Sequence, residues 1–155
     1  MKKYISLILF IIIFEAVSYT IGMRTQDAID GWYAALTKPP LTPPNIVFPI
    51  MWTTLYALIA GAGWVLWRRR AEPDGVALLA LFAAYMALNW SWSFVFFGAQ
   101  SLLTGLIWIA VMNVIAVMLI WRSAREARPA TLLMIPPTLW TMFAMYLNAG
   151  LLWLN

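Results

Sequence analysis

Apolar residues run along this chain in five long blocks, roughly Tyr4 to Met23, Ile46 to Trp67, Val76 to Phe97, Leu102 to Trp121 and Thr131 to Leu154. As helices rising about 1.5 Å per residue, each block can cross about 30 Å of hydrocarbon. None shows the strict alternation and ten-residue length of a barrel strand. A helix also pairs its backbone N–H and C=O groups within its own segment, as lipid demands. The pattern predicts an all-α membrane protein: one domain over residues 1–155, five transmembrane helices in a bundle, and a long folded loop between helices 1 and 2.

Composition agrees. The chain is 64% hydrophobic and 10% charged, with mean hydropathy +0.82, more apolar surface than one small soluble core could hide. The start, Lys2 and Lys3 followed by "YISLILFIIIF", resembles a secretory signal, but its apolar run extends to Met23 with no clear small-residue cleavage site, so it is read as a retained first helix. Lys2, Lys3, Arg68, Arg69, Arg70, Arg122, Arg125 and Arg128 fall on one side of the predicted topology, against Arg24 and Lys38 on the other. The positive-inside rule then predicts a cytoplasmic amino terminus, with the first loop and carboxyl end outside. Trp67 and Trp121, each next to an arginine, suit the interfacial aromatic belt. A bacterial inner membrane fits the charge bias.

The net charge of +4 is accounted for by these helix-end arginines and calls for no nucleic-acid partner, only weak attraction to anionic lipid. Cysteine and histidine are absent, which removes thiolate nucleophiles, imidazole bases and the usual ligands of zinc or haem iron. No metal or cofactor is expected.

"GAQS" and "RSAREARP" are connections short enough to make neighbouring helices antiparallel. The first loop, Arg24 to Asn45, is the exception. Within it, "TQDAIDGWYAAL" suggests a brief helix started by Thr25 or Asp27 and weakened by Gly31, whereas "KPPLTPP" cannot be helical. The prolines predict a stiff polyproline-like strut that carries Trp32 and Tyr33 over the outer mouth of the bundle as a lid.

Helical spacing groups the remaining rings and amides. Trp52 and Tyr56 share a face of helix 2; Asn89, Trp92 or Ser93, and Phe96 one of helix 3; Trp140, Ala144, Leu147 or Asn148, and Leu151 one of helix 5. Three such faces describe a site for a flat, mostly apolar ligand, with Asn89, Asn148 and the indole N–H groups as polar contacts. The alternative is that the rings only fill space between helices and the asparagines bond across them.

"WYAALTKPPLTPPNIVFPIMWTTLY", "LNWSWSFVFFG" and "PPTLWTMFAMYLN" resemble the translocator protein family, also called tryptophan-rich sensory proteins or peripheral-type benzodiazepine receptors. The resemblance covers nearly the whole chain in order and spacing. It implies five transmembrane helices, often as a homodimer, and a pocket for porphyrins such as protoporphyrin IX that also takes isoquinoline carboxamide and benzodiazepine ligands. Carried onto this chain, that pocket would use Trp32, Tyr33, Pro44, Trp52, Tyr56, Asn89, Trp92, Trp140, Ala144, Leu147 and Asn148. Some members are reported to degrade protoporphyrin in light and oxygen through pocket tryptophans, which here would be Trp52 and Trp140. Such a step is redox or photochemistry, since the chain lacks an obvious acid–base or nucleophilic set. Family members also occur in outer membranes of mitochondria and some bacteria. The animal members' cholesterol pattern on helix 5 is incomplete: Ala149 stands in place of its tyrosine, with no basic residue after it.

Two further features stand apart from the aromatic faces. Glu15 lies near the middle of helix 1, where a carboxylate is expensive; it suggests proton coupling in a transporter, or else a carboxyl hydrogen-bonded within the bundle or facing a wet cavity. Ala80 with Ala84, and Ala83 with Ala87, repeat at four-residue spacing on helix 3, predicting a homodimer through this face or close packing within the chain. Gly61 and Gly63 are read as close-packing positions within one bundle. Three function classes follow: a ligand-binding sensory protein, a proton-linked transporter of flat apolar compounds, and a scaffold whose pocket is only packing.

Overall fold

The computed structural model describes residues 2–155, with side-chain environments from Tyr4 onward. The side chains of Lys2 and Lys3, part of the topology count, therefore lie outside the described residues. Among the described residues there are five long helices and no strand: α1 (Lys2–Ala28), α2 (Val47–Arg68), α3 (Gly75–Ser93), α4 (Leu102–Glu126) and α5 (Arg128–Leu154). Each is long and apolar enough to cross a membrane. Wider π-helical turns, Ile29–Tyr33 and Phe94–Gly98, extend α1 and α3.

The expected spans recur with longer ends. α1 does not stop at Met23 and restart; Thr25 donates its hydroxyl back to the carbonyls of Ile21 (3.1 Å) and Gly22 (3.2 Å) instead of capping a new helix. Gly31 falls inside the π turn. At the other end of the bundle α4 runs through Arg122 and Arg125 to Glu126, and only Ala127 separates it from α5. Hydropathy marks where the hydrocarbon ends, whereas a helix continues into the polar layer for as long as its backbone bonds hold. α4 does begin where expected, with Ser101 Oγ accepting from Thr104 N at 3.4 Å as its cap.

α1 packs on α2, α2 on α5, α5 on α4, α4 on α3, and α3 closes the ring against α2 and α1. Trp64 Nε1 donates to Ser6 Oγ at 2.9 Å, placing the start of α1 beside the end of α2. The core in this half is tight: a Cβ on Gly63 would stand 2.7 Å from the Phe82 ring and 3.6 Å from Phe10. Gly61 and Gly63 are both buried, as the close-packing reading requires. Asn113 and Thr141 clamp α4 to α5, with Thr141 Oγ1 donating to Asn113 Oδ1 at 2.6 Å and Asn113 Nδ2 to Thr141 O at 3.3 Å. Ala80, Ala83, Ala84 and Ala87 are all exposed on the outside of α3, which corrects the option that they pack against another helix of the same chain. Trp67 and Trp121 also face outward, as belt residues do.

The proline segment is non-helical, as its sequence requires. It braces against the end of α5. Pro39 is buried beside Gly150, whose missing side chain makes the slot: a Cβ there would meet Pro39 Cβ at 2.5 Å. Tyr146 Oη donates to Pro40 O (3.1 Å), Asn155 Oδ1 accepts from Thr37 N (2.8 Å), and Asn155 Nδ2 donates to Thr37 O (3.1 Å). Lys38 folds back on the end of the first helical segment, its Nζ donating to the carbonyls of Tyr33 and Leu36 and lying 4.0 Å from the centre of the Tyr33 ring. This ammonium serves carbonyls at the end of a helix, where its charge also suits the helix dipole. Burial holds its pKa below the ordinary lysine value.

Candidate functional site

In the half of the bundle opposite the arginine-rich turns the helices diverge around a cavity of about 660 Å³. Nine of the eleven pocket positions named from the sequence line it: Tyr33, Trp52, Tyr56, Asn89, Trp92, Trp140, Ala144, Leu147 and Asn148. Trp32 and Pro44 do not. Trp32 packs edge-on against Phe96 (centroids 5.5 Å apart, planes at 66°), and Pro44 is exposed on the braced strut.

The three aromatic faces converge. Trp52 and Tyr56 lie 5.4 Å apart on α2; Trp92 and Phe96 stack at 4.8 Å and 12° on the α3 side; Phe48 meets Trp140 of α5 edge-on at 6.0 Å. Gly105 of α4 makes the stacked pair possible, because a Cβ there would lie 2.6 Å from Phe96 Cδ2. Its carbonyl accepts from Trp92 Nε1 at 3.1 Å, fixing that indole. Tyr56 Oη donates to Asn89 Oδ1 at 2.6 Å, and Asn89 Nδ2 reaches Met112 Sδ at 3.6 Å.

Other polar groups of the cavity have no partner among the described residues. Both polar atoms of the Asn148 side chain, which is only 2% exposed, are unpaired, and so is Trp140 Nε1. Buried polar groups are ordinarily hydrogen-bonded, so unpaired ones lining a cavity are places for a ligand or solvent to bind.

The largest contribution that helical-face reading did not assign to the pocket comes from α1. Glu15, Ser18, Tyr19, Gly22, Gln26 and Ile29 all line the cavity, on the same wall as Tyr33. Glu15, Ser18 or Tyr19, Gly22, Gln26 and Ile29 form one stripe at intervals of three or four residues, a pattern present in the sequence but lacking the tryptophans that drew attention to the other faces. Tyr19 is 70% exposed, and Gly22 has nothing within 4 Å of where a Cβ would stand. The α1 wall is therefore thin and open to the surroundings.

A family model described as TspO/MBR family matches residues 10–154. The chain belongs to this family. TspO relatives include the Tryptophan-rich protein TspO of Chlorobaculum tepidum, 35% identical over 161 aligned positions covering 99% of this chain and 98% of the relative. The Tryptophan-rich sensory protein of Cereibacter sphaeroides is 36% identical over 127 positions, 81% of this chain and 78% of its own. The Translocator protein of Ovis aries is 32% identical over 121 positions, 76% of this chain and 70% of its own. Membership of the TspO/MBR family and the five apolar helices together make this an integral, multi-pass membrane protein.

Proposed function

We propose that the protein is a receptor- or sensor-type membrane protein that holds porphyrins, protoporphyrin IX and related tetrapyrroles, together with benzodiazepine- and isoquinoline-type ligands, in its aromatic cavity. The observation that carries this reading is the convergence of Trp52, Tyr56, Trp92 and Trp140 on one space of about 660 Å³. Small-molecule sites occupy roughly 300–1,000 Å³ and combine apolar walls with a few polar groups. Indole and phenol faces suit a planar guest, and the unpaired Trp140 N–H and Asn148 amide supply polar contacts. Relatives named sensory protein and translocator protein fit the same reading. Protoporphyrin IX should quench the intrinsic fluorescence saturably, with affinity lowered by Trp52→Ala and by Trp140→Ala; a curve unchanged in both variants rejects the assignment. If the bound porphyrin is also degraded, illumination in oxygen should give a product that vanishes in the Trp52→Phe, Trp140→Phe double variant.

Proton-coupled export is the second reading, favoured by the position of Glu15 on the cavity wall. Porphyrin flux in proteoliposomes under an imposed pH gradient would then depend on Glu15 and fail in Glu15→Gln. We place the protein in a bacterial inner membrane with its amino terminus cytoplasmic, on the arginine distribution, and pair it as a homodimer through the exposed alanines of α3. Disulfide cross-linking of Ala83→Cys across two copies tests the pairing.

A further inference from the structure

The charged groups lining the cavity are Glu15 and Asp30; no lysine or arginine is among its lining residues. Fifteen residues apart on one helical segment, they stand at opposite ends of the space, separated by roughly 22 Å at the helical rise. Asp30 already has a partner, since Gln26 Nε2 donates to both its carboxylate oxygens at 3.0 Å. Glu15 has no salt-bridge partner among the described residues. Two cations that follow it in the chain are engaged elsewhere: Arg24 is exposed and does not line the cavity, and Lys38 is bound to the carbonyls of Tyr33 and Leu36.

We infer that Glu15 is a specificity-determining residue that selects, within the proposed aromatic site, planar ligands carrying a protonated nitrogen. The inference rests on the cavity being a ligand site, and adds which ligand chemistry it prefers. A carboxylate at this depth is costly alone, and a cationic nitrogen brought by the ligand removes much of that cost while forming a charge-assisted hydrogen bond. A second polar contact supports the same geometry: the unpaired, buried Asn148 amide on α5 offers both a donor and an acceptor. A flat guest can thus be held by its edges at α1 and α5 while its faces lie against Trp52 and Trp92.

The test uses the whole protein in neutral detergent and two flat probes of nearly the same shape, cationic 9-aminoacridine and neutral acridone, read by fluorescence titration. Wild type should bind the aminoacridine about tenfold more tightly or better. Glu15→Gln should abolish that preference, and a thermal melt in the same detergent shows that the variant is folded. Glu15→Asp, a shorter carboxylate, should retain part of the preference. Equal binding of the two probes by wild type, no binding of either, equal weakening of both by Glu15→Gln, or a preference lost only with Asp30→Asn each overturns the inference. Protoporphyrin IX in the same assay separates the two claims. Porphyrin binding with no Glu15-dependent preference sinks this inference alone; a Glu15-dependent preference without porphyrin binding sinks the porphyrin assignment alone.

Discussion

The hydroxyl of Tyr56 donates to Asn89 Oδ1 at 2.6 Å and so joins α2 to α3 beneath the cavity. Both side chains are buried, and the other bond of the Asn89 amide is a long one to a thioether, Met112 Sδ at 3.6 Å. Tyr56→Phe leaves the amide oxygen without its donor. The expected loss is about 1 kcal/mol, because hydrogen bonds between helices in membranes contribute modestly and an orphaned acceptor adds its own cost. A thermal melt in detergent should show a lower midpoint. Tyr56→Phe combined with Asn89→Leu should recover part of it, since an apolar pair orphans nothing. A double variant less stable than the single would reject this account.

Gly150 sets where the proline strut rests. Its absent side chain admits Pro39, and a Cβ there would lie 2.5 Å from Pro39 Cβ and 2.9 Å from Cγ, both in a rigid ring that cannot swing aside. Gly150→Ala should push the strut off α5, at a cost of about 1–3 kcal/mol typical of overpacking. Loss of the Tyr146 and Asn155 bonds to Pro40 and Thr37 should follow. Limited proteolysis is the readout: cleavage within residues 37–45 should speed up in Gly150→Ala while the helices stay protected. Unchanged cleavage would mean that the strut is held by other contacts.

How far the sequence foretold this molecule depends on the kind of signal each residue sends. The five spans follow from hydropathy, because lipid forces a helix wherever about twenty apolar residues run together. Helix ends were less legible: Arg122 and Thr25 look like boundary residues, yet they continue helices whose backbone bonding ignores the hydrocarbon edge. Trp52, Trp92 and Trp140 were found because large rings at helical spacing stand out. Glu15, Tyr19 and Gly22 obey the same spacing, but a small residue, an acid and a lone ring do not announce one wall. Trp32 was read from the proline strut and Pro44 from the family resemblance, and here they lie outside the cavity lining because α1 winds on to Tyr33 and the strut lies on α5. Asn113 was missed because its partner, Thr141, is 28 positions away and only folding brings them to 2.6 Å.

The open α1 wall yields a prediction in which stability and binding move apart. Gly22 lines the cavity within α1, and nothing lies within 4 Å of its would-be Cβ. Gly22→Leu should therefore fit without a clash and raise helix propensity by about 0.5–1 kcal/mol. The same side chain would project into the space a ligand needs. The melting midpoint should hold or rise while protoporphyrin IX affinity falls about tenfold or more. A variant that binds as well as wild type would show that this wall takes no part in ligand contact.

Trp92 and Trp140 both line the cavity, yet their N–H groups are placed for different purposes, and substitution by phenylalanine should separate them. Trp92 Nε1 is committed to Gly105 O at 3.1 Å, so Trp92→Phe breaks a bond between α3 and α4. Trp140 Nε1 has no acceptor among the described residues, so Trp140→Phe removes a buried donor that was already unpaired. Losing the first bond should cost about 1 kcal/mol of stability, whereas relief of an unpaired N–H offsets much of the packing lost with the second indole. Melting midpoints should then order as Trp140→Phe above Trp92→Phe. Affinity for a ligand with an acceptor on its edge should fall more in Trp140→Phe, by about tenfold, because only that N–H is free to meet it. The opposite order in both measurements would mean that Trp140 braces the bundle and Trp92 faces the guest.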